Sequence, residues 1–199
     1  MKHIYIDNNS VNTLIMLHGT GGNEEEMVGL GKRIDPNANI LSIRGNVNEN
    51  GMNRYFKRLG VGNYDIPNYK METKNLINAI IKYSKEYNFD LNYTTISGFS
   101  NGANIALGII QINPIVNNYI LYSPDYINKD ENLVNLENKN IFIATADNDP
   151  YVKPENMQLL IERIDNNGGN LKVLKTTGHQ INMKVLESSI SWYNKIITS

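Results

Sequence analysis

Seven short apolar runs separated by longer helical patterns leave few architectures open to this chain. The runs are His3–Ile6, Thr13–His18, Asn39–Ile43, Tyr93–Gly98, Tyr119–Tyr122, Asn140–Ala146 and Leu171–Lys175. Most are rich in β-branched or aromatic residues and stop at Gly, Ser or Asp, as buried strands do. Between them, Leu76, Ile80, Tyr83 and Tyr87 recur at helical spacing and predict an amphipathic helix over about 70–88. Met157, Leu160, Ile161 and Ile164 predict another, which starts near Pro154 and closes at Gly168-Gly169. A last helix over about 180–197 can gather Ile181, Val185, Ile190, Tyr193 and Ile197 on one broad face. Such alternation predicts an α/β fold, a mostly parallel sheet of about seven strands flanked by helices on both faces. Sheets of this kind carry their chemistry at the carboxyl ends of the strands.

A length of 199 residues with 41% hydrophobic content suits a single domain spanning 1–199. The formal net charge of −1 removes the electrostatic case for a nucleic-acid partner or an anionic membrane surface. With no cysteine there is no disulfide, thiolate metal site or cysteine nucleophile. His3, His18 and His179 are the only histidines, and no two have zinc-motif spacing, so no metal is expected. The apolar run at the N-terminus is too short for a signal peptide, and nothing approaches a membrane span, so a cytoplasmic protein is expected. One stretch breaks the alternation. Residues 44–69, RGNVNENGMNRYFKRLGVGNYDIPNY, are rich in Gly and Asn and read as a pocket-covering insert. The alternative is a surface excursion with a short helix around Asn53–Leu59.

Chemistry concentrates at the fourth run. Thr94–Ala106, TTISGFSNGANIA, takes a strand through G-x-S-x-G directly into a helix. A serine at so sharp a turn needs small neighbours, which Gly98, Gly102 and Ala103 supply, and the turn lifts the Ser100 hydroxyl off the sheet. Serine is a poor nucleophile without a base. His179 follows the last strand, is the only histidine downstream of Ser100, and fits the chain order Ser, acid, His. ATADNDPYV supplies the acid at the end of the preceding strand: Asp149 is favoured, Asp147 reads as a local turn cap, and Asp125 belongs to a structural turn. LHGTGGNEEE is a buried strand ending in a glycine-rich loop, with Glu24–Glu26 opening a helix. That loop lacks the lysine and spacing of a phosphate cradle. It suits an oxyanion hole instead, with the Thr20 and Asn101 amides as donors and His18 packed beneath. On the insert, Arg44, Glu49, Arg54, Tyr55 and Phe56 are placed to overhang Ser100, and the last four are candidates for the substrate pocket.

Together LHGTGGNE, GFSNGANIA, ADNDPYV and GHQI resemble the carboxylesterase/phospholipase family of small α/β-hydrolases, which includes the acyl-protein thioesterases. The insert RGNV-NENGMNRYF looks closer to a bacterial branch related to dienelactone hydrolases and associated with hydroquinone-type compounds. The resemblance spans nearly the whole chain. It implies carboxylic-ester hydrolysis, a lid-free or small-lid pocket, no metal and often a homodimer; a small-molecule ester substrate, no cofactor and no stable membrane association are expected with it. Residue by residue, it implies a triad of Ser100, Asp149 and His179 with Thr20 and Asn101 as oxyanion donors. Asn101 stands where thioesterase-like members usually have Gln, which weakens protein depalmitoylation, and Ala146 replaces a frequent glycine. Two alternatives remain: a lysophospholipase or acyl-protein thioesterase acting on long acyl chains, and a non-catalytic hydrolase-fold ligand-binding protein.

Overall fold

Alternate residues of a strand face opposite sides of a sheet, and the strand Thr13–Leu17 is buried along its whole length. It therefore requires cover on both faces. In a computed structural model of the chain, which describes residues 1–60 and 62–198, that cover is present. Val61 of the expected insert and Ser199 of the expected domain lie outside the described residues. The strands are β1 (His3–Ile6), β2 (Thr13–Leu17), β3 (Asn39–Ile43), β4 (Val47–Glu49), β5 (Met52–Arg54), β6 (Arg58–Gly60), β7 (Asn63–Tyr64), β8 (Thr94–Phe99), β9 (Asn118–Tyr122), β10 (Asn140–Thr145) and β11 (Asn170–Lys175). Seven of them form one sheet in the order β1-β3-β2-β8-β9-β10-β11. Only β1 runs antiparallel to its neighbour.

The helices are α1 (Val28–Ile34), α2 (Ile66–Glu86), α3 (Asn101–Ile112), α4 (Pro154–Asn166) and α5 (Met183–Ile197). Ile15 and Leu17 of β2 join one core with Leu76 and Ile80 of α2, Ile105 and Ile109 of α3, and Leu160 and Ile164 of α4. Leu14 and Met16 face the other way, into a second core with Ile34 of α1 and with Val185, Leu186 and Tyr193 of α5. The expected mostly parallel sheet between helical layers is what the chain forms. Caps set the helix starts. The Asp65 carboxylate accepts the Asn68 amide at 2.9 Å, with Pro67 in the first turn of α2. The Asn182 side chain does the same for Val185 at 3.0 Å.

Two local expectations fail. Glu24–Glu26 do not open a helix but lie in a turn, where the Asn23 side chain accepts the amides of Glu25 and Glu26 at 2.8 and 3.2 Å. Helix α1 begins only at Val28. Nor does a helix form over Asn53–Leu59. The insert folds into two antiparallel hairpins, β4–β5 and β6–β7. At the first tip Asn50 and Gly51 both hold positive φ, 53° and 81°, as the tight hairpin turn between right-twisted strands demands. Among the described residues, no helix is long and apolar enough to cross a membrane.

Candidate active site

Ser100 stands alone between the last residue of β8 and the first of α3, with φ 52° and ψ −114°. Left-handed backbone is costly for a residue with a side chain, and the surroundings hold it there. A Cβ on Gly98 would lie 2.5 Å from the Gly102 carbonyl oxygen, and one on Gly102 would lie 2.2 Å from the Leu17 carbonyl oxygen. Only glycine lets these backbones close. The Ser100 amide donates to Tyr122 O at 2.9 Å, tying the turn to the end of β9. Beyond it, the first amides of α3 have no acceptor inside the helix and form the positive end of its dipole.

The Ser100 Oγ lies 2.8 Å from His179 Nε2, and His179 Nδ1 lies 2.7 Å from Asp149 Oδ2. A carboxylate only accepts, so Nδ1 carries the proton and Nε2 is left to take one from the hydroxyl. Asp149 is set by its own turn: its side chain is 1% exposed, and its other oxygen accepts the Tyr151 amide at 2.8 Å. Asn148 Oδ1 accepts the Gly178 amide at 2.9 Å, binding the acid turn to the histidine turn. Asp147 instead reaches out to Lys175 at 2.9 Å, with both side chains mostly exposed. Asp125 is buried, accepts from Asn156 Nδ2 at 2.8 Å, and has its carboxyl pushed up by burial. Of the three aspartates the sequence offered, Asp149 is the one hydrogen-bonded to His179.

A cavity of about 310 Å³ opens over these groups, walled by Thr20, Arg54, Tyr64, Asn104, Tyr151 and Phe99 around Ser100 and His179. A larger depression of about 490 Å³ lies beyond the acid turn, against α4, and involves neither Ser100 nor His179. Beneath the glycine loop, His18 is buried. Its Nδ1 meets Gly19 O at 2.6 Å and its Nε2 meets the Gly45 amide at 3.1 Å. A carbonyl only accepts and an amide N–H only donates, so the ring is neutral with its proton on Nδ1, and burial holds its pKa below the ordinary value.

No protein-family model matches the chain. Over 199 residues it is 34% identical to MhqD of Bacillus subtilis (strain 168), a protein named as a hydrolase, covering 99% of this chain and 100% of MhqD. The crystal structure of the Bacillus cereus carboxylesterase superposes with a TM-score of 0.93 at 36% identity, over 98% of this chain and 94% of that one. The chain belongs to the carboxylesterase/phospholipase family of α/β-hydrolases. YahD, solved with malic acid, aligns at a TM-score of 0.90 and 29% identity over 98% of each chain. Arabidopsis thaliana SOBER1, at 19% identity and a TM-score of 0.76 over 92% of this chain and 98% of its own, shares the fold.

In this α/β-hydrolase the insert is built into the Ser100 turn instead of lying loosely over it. The Asn101 side-chain oxygen accepts the Tyr55 amide at 2.7 Å. The Tyr55 hydroxyl donates to Ile43 O at 2.5 Å and accepts the His18 amide at 3.1 Å. Asn53 accepts the Gly21 amide through its backbone oxygen and donates through Nδ2 to Gly22 O, each at 2.8 Å. These bonds correct the expected pocket lining. Tyr55 and Phe56 are at most 1% exposed, Tyr55 because its hydroxyl finds two buried backbone partners and Phe56 because its ring packs edge-on to Tyr69 and Tyr64. Neither walls the cavity. Arg44 turns away to the buried Glu24, which Lys2 also approaches at 3.2 Å. Glu49 lines an adjoining depression and faces Arg54. Of the four expected lining residues only Arg54 reaches the Ser100 cavity. The structure adds Met52, Arg58, Tyr64, Asn104 and Tyr151. Tyr151 had a readable signal, since it follows the acid turn by two positions. Met52, Arg58 and Tyr64 project from the two hairpins, where the Asn50-Gly51 turn of the first was the one local cue, and Asn104 lies on α3 one turn beyond Ser100.

Proposed function

We propose that this protein is a serine carboxylesterase that hydrolyses small carboxylic esters through Ser100, His179 and Asp149. One observation carries the reading: Ser100 Oγ, His179 and Asp149 form a continuous hydrogen-bonded relay of 2.8 and 2.7 Å at the floor of a cavity of about 310 Å³. Ser100 Oγ attacks the ester carbonyl while His179 Nε2 takes its proton, and Asp149 stabilises the imidazolium that results. The Thr20 and Asn101 amides meet the oxyanion. His179 then passes its proton to the leaving alcohol. A water deprotonated by His179 attacks the acyl-serine, the acyl–Oγ bond breaks as His179 returns the proton to Ser100 Oγ, and the acid departs. Each step draws on groups of the chain itself. The names carried by MhqD and the Bacillus cereus carboxylesterase support the same class.

The cavity lies at the small end of ligand pockets, which favours short acyl groups. A second reading, hydrolysis of longer acyl chains, draws support from an open groove of about 370 Å³ that shares Phe99 and His179 with the cavity and runs over Leu30, Ile181 and Leu186. A p-nitrophenyl ester series separates the two. Acetate and butyrate are expected to exceed palmitate, and the reverse order favours the long-chain reading. Ser100→Ala is expected to lower kcat by about 10⁶-fold and to abolish labelling by a fluorophosphonate. Turnover and labelling retained in that variant would overturn the proposal, and a wild-type protein inert to both would favour a non-catalytic binding role.

A further inference from the structure

Arg54 closes β5 one residue before the insert dives into the core, and it is 3% exposed while walling the cavity over Ser100. A buried guanidinium ordinarily has its N–H groups taken up by acceptors. Here Nε and Nη1 are sealed from solvent and have no hydrogen-bond partner among the described residues. Glu49 offers a charge at 3.4 Å from Nε, outside hydrogen-bond geometry, and its own side chain is 31% exposed. A second cation, Arg58, walls the same cavity. Burial first, and then the nearby Arg58, lower the Arg54 pKa, as expected for a cation whose neighbours under-compensate it. The remaining charge in the wall, Glu26, lies on the opposite loop: its carboxylate packs so close to Gly22 that a Cβ there would meet Oε2 at 2.1 Å. The cavity is thus polarised, with positive charge on the insert side and negative charge by the glycine loop.

We propose that the Ser100 cavity selects esters that carry a free carboxylate, which Arg54 holds with Arg58 beside it. The proposal rests on the esterase reading above and names its substrate class. With Nε and Nη1 sealed, the attraction is that of a buried, under-compensated positive charge acting from the cavity wall on an anion inside it. One negative charge suits the site better than a doubly charged phosphate, because Glu49 and Glu26 already stand nearby. The positive insert wall then orients the substrate, so that its ester carbonyl, and not its carboxylate, meets the nucleophile.

Two matched ester pairs test this. Mono-p-nitrophenyl succinate against p-nitrophenyl butyrate puts the carboxylate on the acyl side, and 4-acetoxybenzoate against phenyl acetate puts it on the alcohol side. In one pair at least, the charged member is expected to have the higher kcat/KM by about tenfold or more at low salt, with the preference shrinking as salt rises. Arg54→Gln is expected to bring that ratio towards one, Arg54→Lys to keep part of it, and Glu49→Gln to raise it. Preference for the neutral member in both pairs, or a ratio unmoved in Arg54→Gln, overturns the proposal. If Arg54→Gln fails to fold by its melting curve, the ratio in Glu49→Gln decides. A binding measurement separates this proposal from the esterase reading. Succinate titrated calorimetrically into Ser100→Ala is expected to bind about tenfold or more tightly than into the same protein with Arg54→Gln. Arg54-dependent binding without turnover of any of the four esters leaves the anion site standing and removes the esterase reading. No turnover and no binding removes both.

Discussion

Gly102→Ala is the sharpest perturbation of the nucleophile turn, because it adds one methyl and no new chemistry. That methyl would sit 2.2 Å from Leu17 O and 2.7 Å from His18 O. Both atoms are backbone, so no side chain can swing aside. The chain must retreat by about 0.8 Å before the shorter contact reaches 3.0 Å. Helix α3 has little room to do so, since Asn101–Gln111 are all buried. Overpacking of this kind costs about 1–3 kcal/mol, which for a chain of this length lowers the melting temperature by roughly 3–10 °C. The same retreat moves Ser100 and the Asn101 amide relative to the glycine loop at the end of β2. A displacement near 1 Å at reacting groups costs on the order of 10²-fold in rate. Scanning calorimetry and kcat/KM on p-nitrophenyl acetate measure the two effects. Gly29→Ala is the control: it lies exposed in α1 with no atom within 4 Å of the added methyl, and its stability is expected to be unchanged or slightly raised. A Gly102→Ala protein that melts within a degree of wild type and hydrolyses the ester at the wild-type rate refutes the steric argument.

The acid and the buried histidine give two more tests. Asp149→Asn is expected to lower kcat by about 10⁴-fold with little change in fold, while Asp147→Asn, which loses only an exposed pair with Lys175, stays close to wild type; equal effects in steady-state assays would dispose of the assignment. Burial lowers the His18 pKa from 6.5, so as pH falls through that range the unfolded chain takes up the proton first. Stability is therefore complete above about 6.5 and declines as the pH drops through the lowered value. The raised Asp125 works in the opposite sense at its own lower range, so chemical denaturation of wild type is compared with His18→Gln, which can still accept the Gly45 amide. Wild type should lose stability relative to His18→Gln as the pH falls below 6.5, and parallel curves contradict the neutral-ring reading.

Much of this molecule follows from local chemistry. The run Leu14–Leu17 is apolar on both faces, and only a sheet covered twice can bury it, so the layered α/β architecture is legible before any contact is known. The glycines around Ser100 are equally legible, because the sharp strand-to-helix turn itself sets their steric demand. A lone downstream histidine narrows the base to His179. Three things needed the tertiary structure. Local turn chemistry favoured Asp149 over Asp147 and Asp125, but that its carboxylate meets a ring thirty positions away is seen only in the tertiary structure. The insert shows the same limit more strongly: Tyr55 and Phe56 have the composition of a pocket wall, yet the Asn101 side chain, 46 positions on, captures the Tyr55 amide and turns both rings into the core. Their neighbour Arg54 walls the cavity with two unpartnered nitrogens, which no local pattern foretells. Periodicity and turn chemistry act over a few residues, whereas hydrogen bonds between distant backbones depend on the whole packed arrangement. The candidate nucleophile turn and the fold were therefore readable from the chain, and which charges wall the Ser100 cavity was decided only by folding.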